Sequence, residues 1–154
     1  MKAAPAAAMP AALAGVTADG PILLFDGVCN LCNGTVRFVA RRDAGRRYRF
    51  CPLQSALGRA LVNAHGGTAE LDTIYLVEDG RLYDRSTAAL RVLRGLRMPW
   101  PLLSAFLVVP RPVRDAVYNF IGRRRYRWFG RQDRCPLPDA GLAARFLGMD
   151  DPDL

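Results

Sequence analysis

The sequence predicts an α/β domain with its elements in the order β-α-β-α-β-β-α, followed by a helical extension. Three observations carry this reading. Ile22 to Phe25 is a wholly apolar run closed by the turn pair Asp26-Gly27, which reads as a strand buried on both faces. Arg47-Tyr48-Arg49-Phe50-Cys51 alternates polar and apolar side chains, the pattern of a second strand. Asp79-Gly80, set between short apolar stretches, is a hairpin signal. With 154 residues, 51% of them hydrophobic, the chain is long enough for one domain that buries its core without disulfide staples.

Each element follows from its pattern. Over 29–44, Cys32, Val36, Val39 and Ala40 share one helical face, Arg37, Arg41 and Arg42 lie mostly opposite, and Gly45 is the stop. In the strand that follows, Tyr48 and Phe50 point inward, parity puts Cys51 with the arginines, and Pro52 closes the run. Ser55 caps a second helix whose stripe is Leu57, Ala60, Leu61 and Ala64, ended by Gly66-Gly67. Thr73 to Val77 is the third strand and Leu82-Tyr83 begins the fourth. Ser86 caps a helix through Leu90, Leu93 and Leu96, and Met98-Pro99-Trp100-Pro101 breaks it. This is the thioredoxin order, with a parallel βαβ half, an antiparallel hairpin and helices on both faces.

Residues 98–148 form the helical extension of a single domain over 21–148. Leu102 to Val109 suits a short buried helix. Pro112 opens another, with Val113, Ala116, Val117, Phe120 and Ile121 on one face, and Asp139 caps a last one to Leu147. Residues 1–20 are rich in Ala and Pro. Pro5 and Pro10 interrupt any signal-peptide core, so the stretch reads as a disordered leader and the chain as cytoplasmic.

The chemistry gathers at the first strand-to-helix turn. Cys29 and Cys32 are three apart, so on a helix they lie on one face and their sulfurs can meet. Cys29 falls among the unsatisfied amides of a helix start, which stabilise a thiolate; Cys32 lies a turn deeper on the apolar face. Thiol–disulfide exchange needs this pairing: Cys29 as an exposed, ionised nucleophile and Cys32 as the resolving thiol. Asp26 has two readings, a turn former ahead of the helix or a carboxylate that relays the proton of Cys32. No cofactor beyond the cysteine pair is required. Zinc would need two further ligands, and Cys51, Cys135 and His65 do not form a second spaced pair. Cys51 and Cys135 are most simply small buried hydrophobes, His65 a helix-end residue, and Trp100 and Trp128 packing anchors.

Lys2 is the single lysine, so the net charge of +8 rests on arginine, a bias typical of a GC-rich bacterial genome. Even so, it gives the domain a positive field. Residues 123–131 interleave five arginines, from Arg123 to Arg131, with Tyr126, Trp128 and Phe129. Such a run could bind single-stranded nucleic acid, but aromatics docked on the domain are the preferred reading. Arg123→Ala with Arg125→Ala is therefore expected to leave disulfide reduction of a small neutral substrate nearly unchanged. No apolar run is long enough to span a membrane.

Asp26, Cys29 and Cys32 spell Asp-X-X-Cys-X-X-Cys, and with this motif the chain resembles the DCC family of thiol–disulfide oxidoreductases over most of residues 21–135. Further matching stretches are Pro52-Leu-Gln-Ser55, Arg85-Ser-Thr-Ala-Ala-Leu90, Pro110-Arg-Pro-Val-Arg-Asp115 and Tyr126-Arg-Trp-Phe-Gly130. The resemblance implies a thioredoxin-like fold and a protein-disulfide reductase or oxidase. Where thioredoxins carry a cis proline facing the cysteines, this chain has Asp72 or Thr73, which makes Thr73 the candidate substrate-binding residue. The expected partner is a protein bearing a disulfide or dithiol, with an electron donor that the sequence does not identify. The alternative is a redox-inactive module that uses residues 123–131 on an acidic partner, nucleic acid or a membrane surface.

Overall fold

Side chains alternate across every strand of this chain, so the short strands divide the core between two faces of one sheet. The computed structural model describes residues 4–5, 11–18, 20–43, 45–67, 73–130 and 143–149. The elements are β1 (Ala4–Pro5), α1 (Ala11–Ala18), β2 (Ile22–Phe25), α2 (Asn30–Arg42), β3 (Arg49–Pro52), α3 (Ala56–Ala64), β4 (Tyr75–Glu78), β5 (Arg81–Asp84), α4 (Arg85–Arg94), a 3₁₀ segment (Trp100–Val108) and α5 (Arg111–Phe129). The sheet order is β1-β5-β4-β2-β3. β2 runs parallel to β3 and antiparallel to β4, and β4 pairs antiparallel with β5. The four strands from β2 onward, with α2, α3 and α4, make a thioredoxin-like unit.

Leu23 and Phe25 of β2 turn toward α2 and α4, where they join Cys32, Val36, Val39, Tyr48, Phe50, Ala88 and Val92. Ile22 and Leu24 turn the other way, onto Cys51, Leu61, Val62, Tyr75 and Val77. The parity expected for β3 holds, and Cys51 is buried in the second core, as expected of a small apolar side chain. Ser55 caps α3 as expected, its Oγ accepting from the Gly58 amide at 3.0 Å. Asp79 and Gly80 both have positive φ, +53° and +73°, which is the backbone of a two-residue hairpin turn.

Several expectations need correction. Within residues 1–20, read as a disordered leader, the structure has β1 on the edge of β5 and the helix α1. Alanine has the highest helix propensity, and the α1 segment is mostly alanine and leucine without proline. Ser86 does not cap α4. Asp84 occupies the cap position, and the Ser86 hydroxyl donates to Asp115 of α5 instead. Of the last helix expected to end at Leu147, residues 139–142 lie outside the described residues. Further on, Phe50 donates to the Arg145 carbonyl (2.8 Å) and Leu147 to the Phe50 carbonyl (2.7 Å), covering the outer edge of β3.

The extension departs most. The segment expected to be a buried helix is a 3₁₀ run with no buried residue, in which Leu102, Phe106 and Val108 are exposed. The apolar face read on α5 is turned outward: Val113, Val117, Phe120 and Ile121 are all exposed. The face that docks is polar. Arg114 donates to Ser86 and Thr87, and the Ile74 amide donates to the Tyr118 hydroxyl at 3.0 Å. Buried polar groups at the seam require partners, and the polar side of α5 supplies them. No helix among the described residues is long and apolar enough to cross a membrane.

Candidate active site

Asp26 follows the last residue of β2 and is fully buried. One carboxylate oxygen accepts from the Val28 amide (3.1 Å) and from Gln54 Nε2 (2.6 Å). The first of these closes a turn, as the sequence suggested. Gln54 reaches back through its own carbonyl oxygen to accept from the Gly27 amide at 3.0 Å. The second carboxylate oxygen takes Arg125 Nη2 at 3.1 Å and the hydroxyl of Tyr126. Asp26 is thus a satisfied buried charge, held by one cation and by donors from three segments.

The turn delivers Cys29 to the N-cap of α2 in extended backbone (φ −83°, ψ 124°), and Cys32 follows one turn into the helix. The Cys32 thiol donates to the Cys29 sulfur and is the chief cause that brings Cys29 down from 9.0 to about 6. Burial opposes this. The first-turn amides of Cys32 and Leu31 and the charge on Arg125 assist it, although no side-chain hydrogen bond closes the cap. Cys32 is pushed far up by that same hydrogen bond, by burial and by the charge on Cys29. One proton is therefore shared by the pair, with Cys29 the natural thiolate.

Exposure differs from the expectation. Cys29 is 0% accessible and Cys32 6%, so the sulfur expected to be exposed is covered. The end of α5 is tied to the neighbouring residue. Asn30, next to Cys29, donates its amide to the Gly130 carbonyl (3.3 Å) and its side chain to the Phe129 carbonyl (2.8 Å). Cys32 borders a cavity of about 240 Å³ between α2 and α5, lined also by Ile74, Tyr118 and Arg125.

Arg125, expected to serve only a structural role, is 4% exposed and bonded to Asp26 of the motif. Ninety-nine residues separate the two along the chain, a distance only the return of α5 closes. Tyr126 docks as expected, while Trp128 and Phe129 are about half exposed. Burial pushes the Tyr126 phenol up, and its bond to Asp26 acts the same way, so it stays a donor. Thr73 is 1% exposed, with its hydroxyl donating to Tyr118 at 3.3 Å; it supports the seat of α5 and offers no open substrate contact. Cys51 and His65 belong to the opposite side of the sheet. Cys51 lies in the second core and His65 at the end of α3, its Nδ1 2.7 Å from the Leu61 carbonyl. Cys135 and Asp72 lie outside the described residues. Gln54, Arg125 and Tyr126 were missed as site residues, though Gln54 and Tyr126 fall within stretches that carried the resemblance and Arg125 immediately precedes one.

A cysteine pair at the first strand-to-helix junction of a thioredoxin-like sheet defines a protein of thiol–disulfide redox chemistry. The chain belongs to the DCC1-like thiol-disulfide oxidoreductase family, whose model matches residues 23–131. It is 49% identical over 127 residues to the uncharacterized protein YuxK of Bacillus subtilis (strain 168), covering 82% of this chain and 93% of that one. It is 44% identical over 119 residues to a chloroplastic DCC family protein of Arabidopsis thaliana, covering 76% and 69%. No solved structure matches the chain.

Proposed function

We propose that the chain is a protein-disulfide reductase in which Cys29 is the nucleophile and Cys32 the resolving thiol. The observation that carries this reading is the opposed pair of acidities, Cys29 at about 6 and Cys32 far above its ordinary range. At neutral pH the first sulfur is an anion and the second holds a proton. The Cys29 thiolate attacks one sulfur of a substrate disulfide, and the other leaves as a thiolate. With Cys29 tied up in the mixed disulfide, the hydrogen bond and charge that held the Cys32 proton are gone. Burial and Asp26 still favour the thiol, and Arg125 favours the thiolate. Cys32 then attacks Cys29 and frees the reduced substrate, its proton passing to a substrate thiolate and a Cys29–Cys32 disulfide remaining.

Access requires the end of α5 to yield, since Asn30 is tied to Phe129 and Gly130. A reductase also needs an electron donor to restore the dithiol, and a reducing compartment, the cytoplasm, suits that cycle. An acidity near 6 stands closer to thioredoxin's thiol, about 7, than to the strong oxidant DsbA's, about 3.5. A measured reduction potential of roughly −270 mV would mark a reductant, and one of roughly −120 mV an oxidant. The decisive test is trapping. Cys32→Ser should accumulate mixed disulfides with oxidised substrate proteins that reductant releases, and Cys29→Ser should form almost none. Trapping by Cys29→Ser alone would reverse the roles, and trapping by neither would end the proposal.

A further inference from the structure

The outward face of α5 is apolar where a surface helix should be polar. Val113, Val117, Phe120, Ile121 and Trp128 are each between 40% and 58% exposed. Their spacing, i, i+4, i+7, i+8 and i+15, puts them on one stripe. Phe120 and Trp128 touch edge to face with ring centroids 6.0 Å apart, and the Arg124 guanidinium lies 4.1 Å over Phe120. Phe106 and Val108, 56% and 88% exposed, continue the apolar surface just before the helix. An apolar face of this kind on a single domain marks a contact surface.

Charge identifies what covers it. Arg123, Arg124 and Arg127 are exposed beside the stripe, on a chain of net charge +8. The one carboxylate of α5, Asp115, accepts from Ser86 at the docked seam. A second copy on this face would set arginines against arginines. An anionic lipid surface takes both features: phosphates meet the guanidinium groups, and the aromatic and branched side chains enter the headgroup boundary.

We propose that the outward face of α5, with Phe106 and Val108, docks the protein peripherally on anionic membrane surfaces. The opposite face of the same helix holds Asp26 through Arg125 and Tyr126. Docking therefore leaves the dithiol roughly one helix diameter, ~10–12 Å, from the headgroups. Because vesicle binding is read without turnover, its result is separate from that of the thiol chemistry.

The test is co-sedimentation of the full chain with vesicles of phosphatidylcholine alone and of phosphatidylcholine with phosphatidylglycerol. Binding is expected to the anionic vesicles only and to weaken as salt is raised to about 0.5 M. Trp128 emission should shift to the blue on binding, and Trp128→Phe should remove the shift. Arg123→Gln with Arg127→Gln should weaken partitioning about fivefold per residue. Val113→Asp with Val117→Asp should abolish it, with an unchanged circular dichroism spectrum confirming the fold. No binding to anionic vesicles, or equal binding to neutral ones, overturns the proposal. So does binding that Val113→Asp with Val117→Asp leaves intact, which would mark a polyanion contact without insertion. A dimer in solution that this pair of substitutions turns into a monomer would assign the face to a second copy instead.

Discussion

Asp26 and Arg125 form a buried ion pair beside the dithiol, and the arginine's charge adds to the Cys32 hydrogen bond in lowering Cys29. Both are almost wholly buried, and their separation is 3.1 Å. Arg125→Ala leaves the carboxylate without its cation and should cost about 3–5 kcal/mol of stability. The same change removes a charge that lowers Cys29. The midpoint of its alkylation, followed against pH, should rise above about 6. Arg125→Lys should restore part of that shift, and an unmoved midpoint would make the arginine purely structural. Tyr126→Phe deletes one bond to a charged acceptor, a loss of about 1.5–3 kcal/mol by denaturant unfolding.

The cysteines also tie stability to pH. Cys29 has a folded value of about 6 against an ordinary 9.0, so between these limits the unfolded chain holds a proton that the folded chain has released. Stability from this group is complete above 9, and is lost as pH falls through about 6. Cys32 is raised, so above 9 the unfolded chain loses its proton while the folded chain keeps it, and stability declines again. In urea unfolding of the reduced protein, the advantage over Cys29→Ser should grow from pH 6 toward pH 9 and shrink beyond it. A pH-independent difference would contradict the assigned thiolate.

At the scale of elements, the end of α5 is the piece that closes the site. Gly130 has φ +88°, and a Cβ there would stand 2.8 Å from Asn30 Nδ2. Gly130→Ala is strained in its backbone and crowds the side chain whose hydrogen bond ties α5 to α2. A loss of about 1–3 kcal/mol is expected. Because the closing contact loosens, Cys29 alkylation should become faster at a given pH while its midpoint stays near about 6. Slower alkylation would mean that this end of α5 does not limit access.

Across the whole molecule, the sheet keeps two cores apart, and the dithiol belongs to one of them. Cys51 sits in the other, fully buried, its sulfur 3.4 Å from the Ser55 hydroxyl. Cys51→Ser exchanges a small apolar thiol for a hydroxyl in that core and should cost about 1–3 kcal/mol. The rate and potential of thiol exchange should not change, because β2 and β3 stand between. A shifted potential would show that the two faces communicate.

The legible part of this protein is local. The apolar run before Asp26, the two cysteines a turn apart, the Ser55 cap and the Asp79-Gly80 turn each report backbone demands met within a few residues. From these the element order, the thioredoxin-like sheet and the cysteine pair could be read directly. Contacts across the chain could not be read in that way. Arg125 and Tyr126 look like any basic aromatic run until α5 folds back and brings them to Asp26, 99 and 100 residues away. The same return seats the polar side of α5, because Asp26, Ser86 and Thr73 supply partners there, and turns its apolar side outward. Periodicity identifies an amphipathic helix, but it does not say which face docks. That is decided by which buried groups of the domain still need hydrogen bonds.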